Sequence, residues 1–426
     1  MAYARQAGEK ALARSAHREA AGYFEQALSA VPHLPETRAT REQAIDLRFA
    51  LRSALQPSGD LGRMLVCLRE AEALAETLDD PHRLARIALF LSRYFSLMGT
   101  YDQAILAAQR ALALATAIGD GVLHALANLN LGLAYEPQGD YRRAIDCCEQ
   151  TVTALDGVRR RERFGQVILP AVQARAWLAR CHAELGTFVE GSAFGDEGLR
   201  IAEAVAHPGS LMVASWGGGL LALRQGDLRR ALPQLERALR ICQDTDLTIW
   251  LHSMAAALGA AYTLSGHVAD AVSLLAQALE RAIETARPGP QAECSLPLGE
   301  AQVLAGHLED AQALAEHALE LTRAHKARGN EAYALRLLGE IAVHRHPSER
   351  AGAEAHYRQA LALAEELGMR PLVAHCHCGL GTLYAKTGQW EQARTALATA
   401  RALYRAMDMT FWLPQAEAAL AQVEPR

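Results

Sequence analysis

The residues with the most obvious potential for chemistry are two histidines and two cysteines in a row, at positions 375–378. Imidazole and thiolate are the ligands that zinc prefers, and a structural zinc site needs four of them around one ion. Consecutive residues of a helix point about 100° apart, so four in a row cannot surround a single ion. His375 and Cys378 share a helix face, but two ligands do not make a site. The pattern therefore predicts no metal.

A second segment, Ser215-Trp216-Gly217-Gly218-Gly219, has the glycine content of a phosphate-binding loop. A P-loop ends in Gly-Lys-Ser/Thr, because backbone amides and the lysine together cradle the phosphates. None of the three lysines follows such a turn, and the His-Glu-x-x-His and Gly-x-Ser-x-Gly patterns are absent from the sequence. The glycines fall in the middle of a predicted helix, where they indicate close helix packing. We therefore expect no catalytic residue, no cofactor and no enzyme activity.

Three other groups of residues each leave two interpretations open. The adjacent Cys147 and Cys148 favour two buried thiols over a strained disulfide. The arginine-rich run at positions 159–163 could dock an acidic partner, although such a run is usually a solvated surface. Gly191, Gly195 and Gly198 recur at helical spacing and indicate either a hinge or a close contact between helices.

The composition excludes several classes of protein. The chain of 426 residues has a formal charge of −5, without the basic excess typical of nucleic-acid binding. The longest apolar run, residues 211–223, is too short to span a bilayer, and the N-terminus is too charged for a signal peptide. The 8 cysteines show neither disulfide-framework nor metal-ligand spacing. These features predict a cytoplasmic protein that binds neither nucleic acid nor membrane.

An internal repeat organises the whole chain. A phrase of the form Gly-x-aromatic/aliphatic-x-x-Ala recurs, for example as GDYRRA at Gly139 and GDLRRA at Gly226. Three units with looser turns complete a series whose spacings are 44, 40, 40, 47, 40, 40, 40, 42 and 40 residues. The small or apolar residues that anchor the units are Ala20, Met64, Ala104, Ala144, Gly191, Ala231, Ala271, Ala311, Ala353 and Ala393. Such a regular period predicts a solenoid.

Each unit has the internal pattern of two antiparallel helices. A small residue lies seven positions before the turn glycine, as at Gly132, and another lies seven positions after the anchor, as at Ala111. The pattern resembles the tetratricopeptide repeat, stretched from about 34 residues to about 40. We therefore expect an all-α, right-handed superhelical solenoid of about ten helical hairpins. We assign residues 1–426 to this single solenoid and residues 411–423 to a C-terminal capping helix.

Several segments extend the resemblance further, among them QAGEKALARSAHREAAGYFEQAL at 6–28, ALRLLGEIAVHR at 334–345 and HYRQALALAEELGMRPLVAHCH at 356–377. They resemble the C-terminal repeat region of bacterial proteins that carry a class III adenylate/guanylate cyclase domain and an AAA-type ATPase domain. That region is in turn similar to the MalT-like repeats of signalling ATPases. The resemblance implies a regulatory role in bacterial signalling. It does not reach any cyclase or nucleotide-binding sequence.

The resemblance to tetratricopeptide repeats also implies which residues face the concave groove. When the small residue of the first helix is set as position eight, positions two, five, nine, twelve and thirteen face inward. The Lys and Asn by which the chaperone-binding subclass grips a peptide carboxylate are absent at positions five and nine. The candidate groove residues are Arg93, Leu129, Leu133, Arg180, Trp216, Leu220, Arg224, Glu300, Arg336 and Glu340.

An apolar groove with arginine anchors suits an amphipathic helix or an extended peptide. The leading hypothesis is therefore a non-catalytic interaction scaffold that binds a protein or peptide, with a cyclase or ATPase signalling protein as the candidate partner. The alternative is a sensor that holds a small-molecule effector inside the superhelix. A pocket enclosed around Trp216 would favour the sensor, and an open apolar groove would favour the scaffold.

Overall fold

The computed structural model describes residues 1–14, 16–245, 247–345 and 350–423, and within these ranges every regular element is a helix. Three of the elements are short 3-10 helices, at Val31–His33, Gly157–Arg161 and Thr248–Trp250. None of the described helices is both long enough and apolar enough to span a membrane. The α-helices are α1 Ala2–Ala13, α2 His17–Ser29, α3 Arg38–Ser58, α4 Leu61–Thr77, α5 Pro81–Leu97, α6 Tyr101–Ile118, α7 Gly121–Tyr135, α8 Tyr141–Ala154, α9 Pro170–Leu185, α10 Phe188–Val205, α11 Pro208–Gln225, α12 Leu228–Asp244, α13 Leu251–Leu264, α14 Val268–Glu284, α15 Pro288–Ala305, α16 Leu308–Ala324, α17 Arg328–His344, α18 Arg350–Leu367, α19 Arg370–Lys386, α20 Trp390–Ala406 and α21 Leu413–Val423.

Helices α1 to α20 form ten consecutive hairpins, each made of an odd-numbered first helix and an even-numbered second helix. The turn within a hairpin is built as the sequence pattern predicts. Gly226 ends α11 with φ of +85°, a conformation that glycine adopts without a steric penalty. The carboxylate of Asp227 then accepts a hydrogen bond from the Arg230 amide at 3.1 Å and caps α12. All ten anchor residues of the repeat are buried.

The small residues let neighbouring helices approach to backbone distance. A Cβ added to Gly217 would lie 2.8 Å from the Cβ of Ala176, so α11 and α9 are in direct backbone contact there. The glycine-rich segment of α11 is therefore a packing surface inside a helix. In α10, a Cβ on Gly191 would meet a side-chain carbon of Leu221 at 2.2 Å, which favours the close-contact interpretation of that glycine series.

The superhelix winds far enough for its C-terminal hairpins to rest on its central hairpins. We call this line of contact the seam. At one end of it, His325 contacts the Gly99 carbonyl oxygen through its Nδ1 atom at 3.1 Å, across 226 residues of sequence. The neighbouring Lys326 ammonium donates to the Asp102 carboxylate at 2.6 Å. The seam therefore joins the turn between α5 and α6 to the turn between α16 and α17.

The seam continues toward the C-terminus. The Tyr141 hydroxyl lies 3.7 Å from the sulfur of Met369, 228 residues away. Further along, the turn at Gly226 lies against Phe411 and Trp412, immediately before α21. The segment predicted as a cap is therefore a helix whose entry packs on the middle of the solenoid. Because of the seam, the concave side is an interior space.

Candidate binding chamber

A chamber of about 230 Å³ lies on the superhelix axis, inside the ring that the seam completes. Its walls come mainly from the first helices of successive hairpins, from α5 to α17. First helices line the concave side because the second helices pack outside them. The chamber is thus formed by seven consecutive repeats, with one side chain or more from each.

The floor of the chamber is aromatic. The rings of Trp177 and Trp216 meet edge to face with their centroids 5.5 Å apart. The Arg180 guanidinium lies 4.4 Å from the Trp216 ring centroid and 5.3 Å from that of Trp177. A cation over an indole ring is attracted by the negative face of the ring. The two tryptophans therefore hold Arg180 at the chamber surface.

Arg180 also has a carboxylate partner in the preceding hairpin. Its Nη2 atom donates to Glu136 at 2.9 Å, and Glu136 is only 7% exposed. Burial raises the pKa of Glu136, although the Arg180 guanidinium favours the charged carboxylate. The pair places opposite charges on the chamber wall without leaving either of them alone in an apolar environment.

A second ionic group connects three hairpins across the chamber. The Arg224 Nε atom donates to Glu184 at 2.9 Å, and the Tyr333 hydroxyl donates to the same carboxylate at 2.6 Å. The Arg224 guanidinium also lies 4.4 Å from the centroid of the Tyr333 ring. Burial raises the pKa of the Tyr333 hydroxyl well above its usual value, so this hydroxyl stays protonated and donates. The group joins α9 and α11 to α17 across the ring.

A third ionic group lies behind the wall. Arg336 forms ion pairs with both Glu300 and Glu340, the latter at 2.7 Å. Burial raises the pKa of Glu300, and Arg336 opposes that effect. Glu300 reaches the chamber surface, whereas its partners do not line it.

Arg287 is held differently, by main-chain oxygens. Its Nε atom donates to the Leu97 carbonyl at 3.2 Å, and its Nη1 atom donates to the Ile249 carbonyl at 3.0 Å. The same Nη1 lies 2.7 Å from Nε2 of His252, a side chain that burial keeps neutral by lowering its pKa to about 3. Arg287 is 6% exposed and still lines the chamber. Its contacts bridge α5 and the segment before α13.

The structure brings seven of the ten candidate groove residues together on the chamber wall. These seven are Arg93, Leu133, Arg180, Trp216, Leu220, Arg224 and Glu300. Leu129 instead lines a separate void of about 10 Å³, and Arg336 and Glu340 form the ion pairs behind the wall. Trp216 and Leu133 are each 4% exposed, so they present little of their surface to the chamber and are mostly packed against neighbouring side chains.

Sequence reasoning missed half of the charged lining. The carboxylates of Glu136, Glu184 and Glu293, the guanidinium of Arg287 and the phenol of Tyr333 all line the chamber. Glu136 and Glu184 occupy positions twelve and thirteen of their units, and Glu293 occupies position two. The repeat pattern assigns all three positions to the groove, so they could have been found by listing those positions in every unit.

The other sequence candidates lie outside the chamber. His375 contacts the Tyr404 hydroxyl through Nδ1 at 2.8 Å, and burial lowers its pKa to about 3. In the described part of the chain, no three His, Cys, Asp or Glu side chains are placed to hold a metal ion. Cys147 and Cys148 are both free thiols. The arginine-rich run forms the mostly exposed 3-10 helix, where Arg160 lies 3.9 Å from Glu197.

Comparison with known proteins supports the repeat assignment. Models of the tetratricopeptide repeat match residues 91–157 and 332–406. No curated protein matches the chain in sequence.

Among solved structures, the chain is similar to a Rap protein complexed with competence and sporulation factor. The TM-score is 0.64 at 13% sequence identity, and the match covers 86% of this chain and 98% of the Rap protein. It is also similar to NprR in complex with its cognate peptide NprX, with a TM-score of 0.53, 15% identity, and coverage of 85% and 98%. Aspartyl phosphate phosphatase F from Bacillus subtilis gives a TM-score of 0.50 at 12% identity, over 84% and 91%. At these identities the likeness concerns the fold.

Fold and comparisons together define the class of the protein. It is an all-α, tetratricopeptide-type superhelical solenoid of ten hairpins, and its first helices surround an axial chamber. Tetratricopeptide folds of this type are generally binding modules, in which the concave side receives the partner.

Proposed function

We propose that this chain is a non-catalytic regulatory binding module that takes up a short segment of a peptide or partner protein in the axial chamber. The axial chamber carries the proposal. It combines an aromatic floor with several fixed polar groups, which is the composition of a ligand site rather than of a packing defect. Two of the similar structures are complexes, one with competence and sporulation factor and one with a cognate peptide, which supports a ligand-binding role for this fold.

The size of the chamber limits what can enter. Its volume of about 230 Å³ is below the range of about 300–1,000 Å³ that is usual for drug-sized ligands. A few residues of a peptide fit, whereas a whole helix does not. The same enclosure by the seam also favours the second candidate, a sensor of a small-molecule effector.

The signalling context belongs to the proposal as well. The resemblance of segments such as 334–345 and 356–377 to the repeats of cyclase and ATPase signalling proteins supports a bacterial, cytoplasmic signalling role. In that role, the occupied and the empty chamber would present different surfaces to an ATPase or cyclase partner. The seven groove candidates on the chamber wall are proposed to sense the ligand directly, and Arg336 and Glu340 through the ion-pair group that they form with Glu300, whereas Leu129 lies outside this surface.

A variant that fills the chamber tests the proposal. Ala260 lines the chamber on α13, so Ala260→Phe places a ring inside it, while Ala276→Phe on the exposed face of α14 is the matched control. The probe is a pool of N-acetylated random tetrapeptides, and retention by the purified chain is measured by size exclusion and mass spectrometry. We expect the wild type and Ala276→Phe to retain peptides and Ala260→Phe to retain none.

Other outcomes distinguish the peptide-binding module from the effector sensor, or refute both. A stoichiometric small molecule that co-purifies with the wild type and is absent from Ala260→Phe would establish the effector sensor. Peptide retention that Ala260→Phe leaves unchanged would refute binding in the chamber. So would the lack of any retained peptide or molecule on the wild type.

A further inference from the structure

We infer that the chamber contains a carboxylate-binding subsite, formed by Arg93 and Arg287, that recognises an anionic group of the ligand. This inference rests on the proposed function and names the chemistry of the ligand. Both guanidinium groups line the chamber, one from α5 and one from the residue that precedes α15.

Arg93 is unlike the other chamber arginines because it has no partner. Arg180 and Arg224 each bind a carboxylate at 2.9 Å. Arg93 makes no hydrogen bond or ion pair with any residue that the structure describes; its side chain is half-buried and lines the chamber, and burial lowers its pKa to about 10. A guanidinium carries five N–H donors, so the donors of Arg93 are available to an anionic group of a ligand in the chamber.

Arg287 strengthens the case because it donates to the carbonyl of Leu97, one helical turn after Arg93 on α5, so the two guanidinium groups lie on the same side of the chamber and repel each other. Carbonyl oxygens and a neutral histidine fix its Nε and Nη1 atoms, so no negative charge compensates it directly. Its Nη2 atom has no acceptor among the described residues. One guanidinium is therefore rigidly oriented and the other is free to adjust, and both have donors left for an oxyanion.

The wall behind Arg93 adds further positive charge. Arg52 on α3 is fully buried, and its Nε and Nη1 atoms have no hydrogen-bond partner in the described chain. Its guanidinium lies 4.1 Å from the centroid of the Phe90 ring. Burial and the neighbouring Arg93 and Arg86 lower the pKa of Arg52 to about 9. Arginines without a carboxylate partner therefore collect on this side of the chamber, whereas the arginines of the ionic groups each have one.

The charge balance of the lining favours a carboxylate over a phosphate. Apart from the three ionic groups, the charges on the lining are Arg93, Arg287 and Glu293. Glu293 accepts a hydrogen bond from the Ser253 hydroxyl at 2.7 Å and has no described cation within ion-pair distance. The lining as a whole holds four arginines and four glutamates and is neutral, so a singly charged carboxylate disturbs its charge balance less than a phosphate, which carries about −1.5 to −2. A carboxylate also accepts two parallel N–H bonds from a guanidinium.

The test compares ligands with and without a carboxylate on the full chain. The N-acetylated tetrapeptide pool is prepared with a free C-terminal acid and, separately, as the amide. On the wild type we expect peptides that bear a carboxylate, at the terminus or on Asp or Glu, to be retained at least about tenfold better than amides that lack one. Arg93→Gln should abolish this preference and leave retention of the uncharged amides unchanged, and the exposed Arg142→Gln should behave as wild type.

The thermal stability of Arg93→Gln shows whether a loss of the preference for carboxylates reflects a loss of folding. Because Arg93 has no partner to lose and is repelled by Arg287, the thermal midpoint of unliganded Arg93→Gln should equal or exceed that of the wild type. A lower midpoint would mean that Arg93 has a structural role and would overturn the subsite.

Each remaining outcome has one meaning. Equal retention of acids and amides by the wild type, or a preference that survives in Arg93→Gln, would overturn the subsite while the chamber remains a binding site. The absence of any retained peptide or co-purified molecule would refute the proposed function itself. Inorganic phosphate that raises the midpoint of the wild type but not of Arg93→Gln, without a preference for acids, would replace the carboxylate by a phosphate.

Discussion

Two turn glycines with the same backbone conformation offer a direct test of the seam. Gly226 and Gly266 both have φ of +85°. A Cβ on Gly226 would lie 2.6 Å from the Cβ of Phe411 and 2.8 Å from the ring of Trp412, whereas one on Gly266 would meet no described atom within 4 Å. Substitution by alanine therefore strains the backbone at both positions but disturbs the seam at only one.

The expected difference follows from these contacts. The left-handed conformation costs an alanine about 1–2 kcal/mol at either position. Gly226→Ala should cost about 1–3 kcal/mol more, because the Cβ overlaps atoms close to the main chain that cannot rotate away. If this additional free energy is lost from the contact between the Gly226 turn and the entry to α21, the equilibrium constant for local opening of that contact rises about fivefold to more than a hundredfold, since 1.4 kcal/mol is a factor of ten.

Hydrogen exchange measured by mass spectrometry reports that opening locally. Peptides that cover Leu413–Val423 should exchange faster in Gly226→Ala than in Gly266→Ala by this factor, while peptides from α1 to α4 should not differ. Equal exchange of α21 in the two variants would show that Phe411 and Trp412 do not rest on the Gly226 turn, and the axial chamber would then be open.

Two further predictions concern the interior of the solenoid. Gly195→Ala should raise the free energy of unfolding by about 0.5–1 kcal/mol, because the added Cβ would meet only ordinary contacts at 3.6 Å or more. Gly217→Ala should lower it by about 1–3 kcal/mol, because the added Cβ would clash with Ala176. Urea unfolding measures both, and a loss of stability in Gly195→Ala would mean that the flexibility of Gly195 is needed. His375 is neutral because its pKa is lowered to about 3, so it stabilises the folded state above pH 6.5 and loses this effect as the pH falls. The free energy of unfolding of His375→Gln should therefore decline less between pH 6.5 and 4 than that of the exposed His317→Gln, by up to about 1.4 kcal/mol per pH unit. Identical slopes in the two variants would contradict the lowered pKa of His375.

The hairpins could be predicted from the sequence because each is determined locally. A small residue such as Gly132 is needed wherever two helices cross closely: a Cβ there would lie 2.6 Å from the sulfur of Cys148. The same requirement returns every 40 residues or so, and its period identifies both helices and the turn. The boundaries of the helices follow from turn glycines and from caps such as Asp227.

The seam could not be predicted in the same way. It depends on the small rotation between one hairpin and the next, summed over more than five hairpins, and no single residue encodes that sum. Nothing in the sequence around His325 or around Gly99 indicates that these two residues contact each other. Without the seam, the concave side is expected to be an open groove, which is why Trp216 was expected to be exposed to a ligand and is instead 4% exposed.

The repeat pattern predicted where the charged residues of the site lie, but it did not predict which ion pairs they form. Arg180 and Arg224 do face inward, as the repeat positions require. Their carboxylate partners, Glu136 and Glu184, come from the preceding hairpins, so the pairs become visible only when neighbouring units are compared at positions nine to thirteen. Arg93 has the same position nine as Arg180 in its unit, and only the structure shows that it has no such partner.

The seam also has a consequence for how such a chain can change in length over evolution. In an open solenoid, duplication or loss of one hairpin leaves every remaining interface intact, because each unit touches only its neighbours. Here, one additional unit of about 40 residues between Tyr141 and Met369 would move every later seam partner out of register with its turn. The number of hairpins in this stretch is therefore constrained by ring closure.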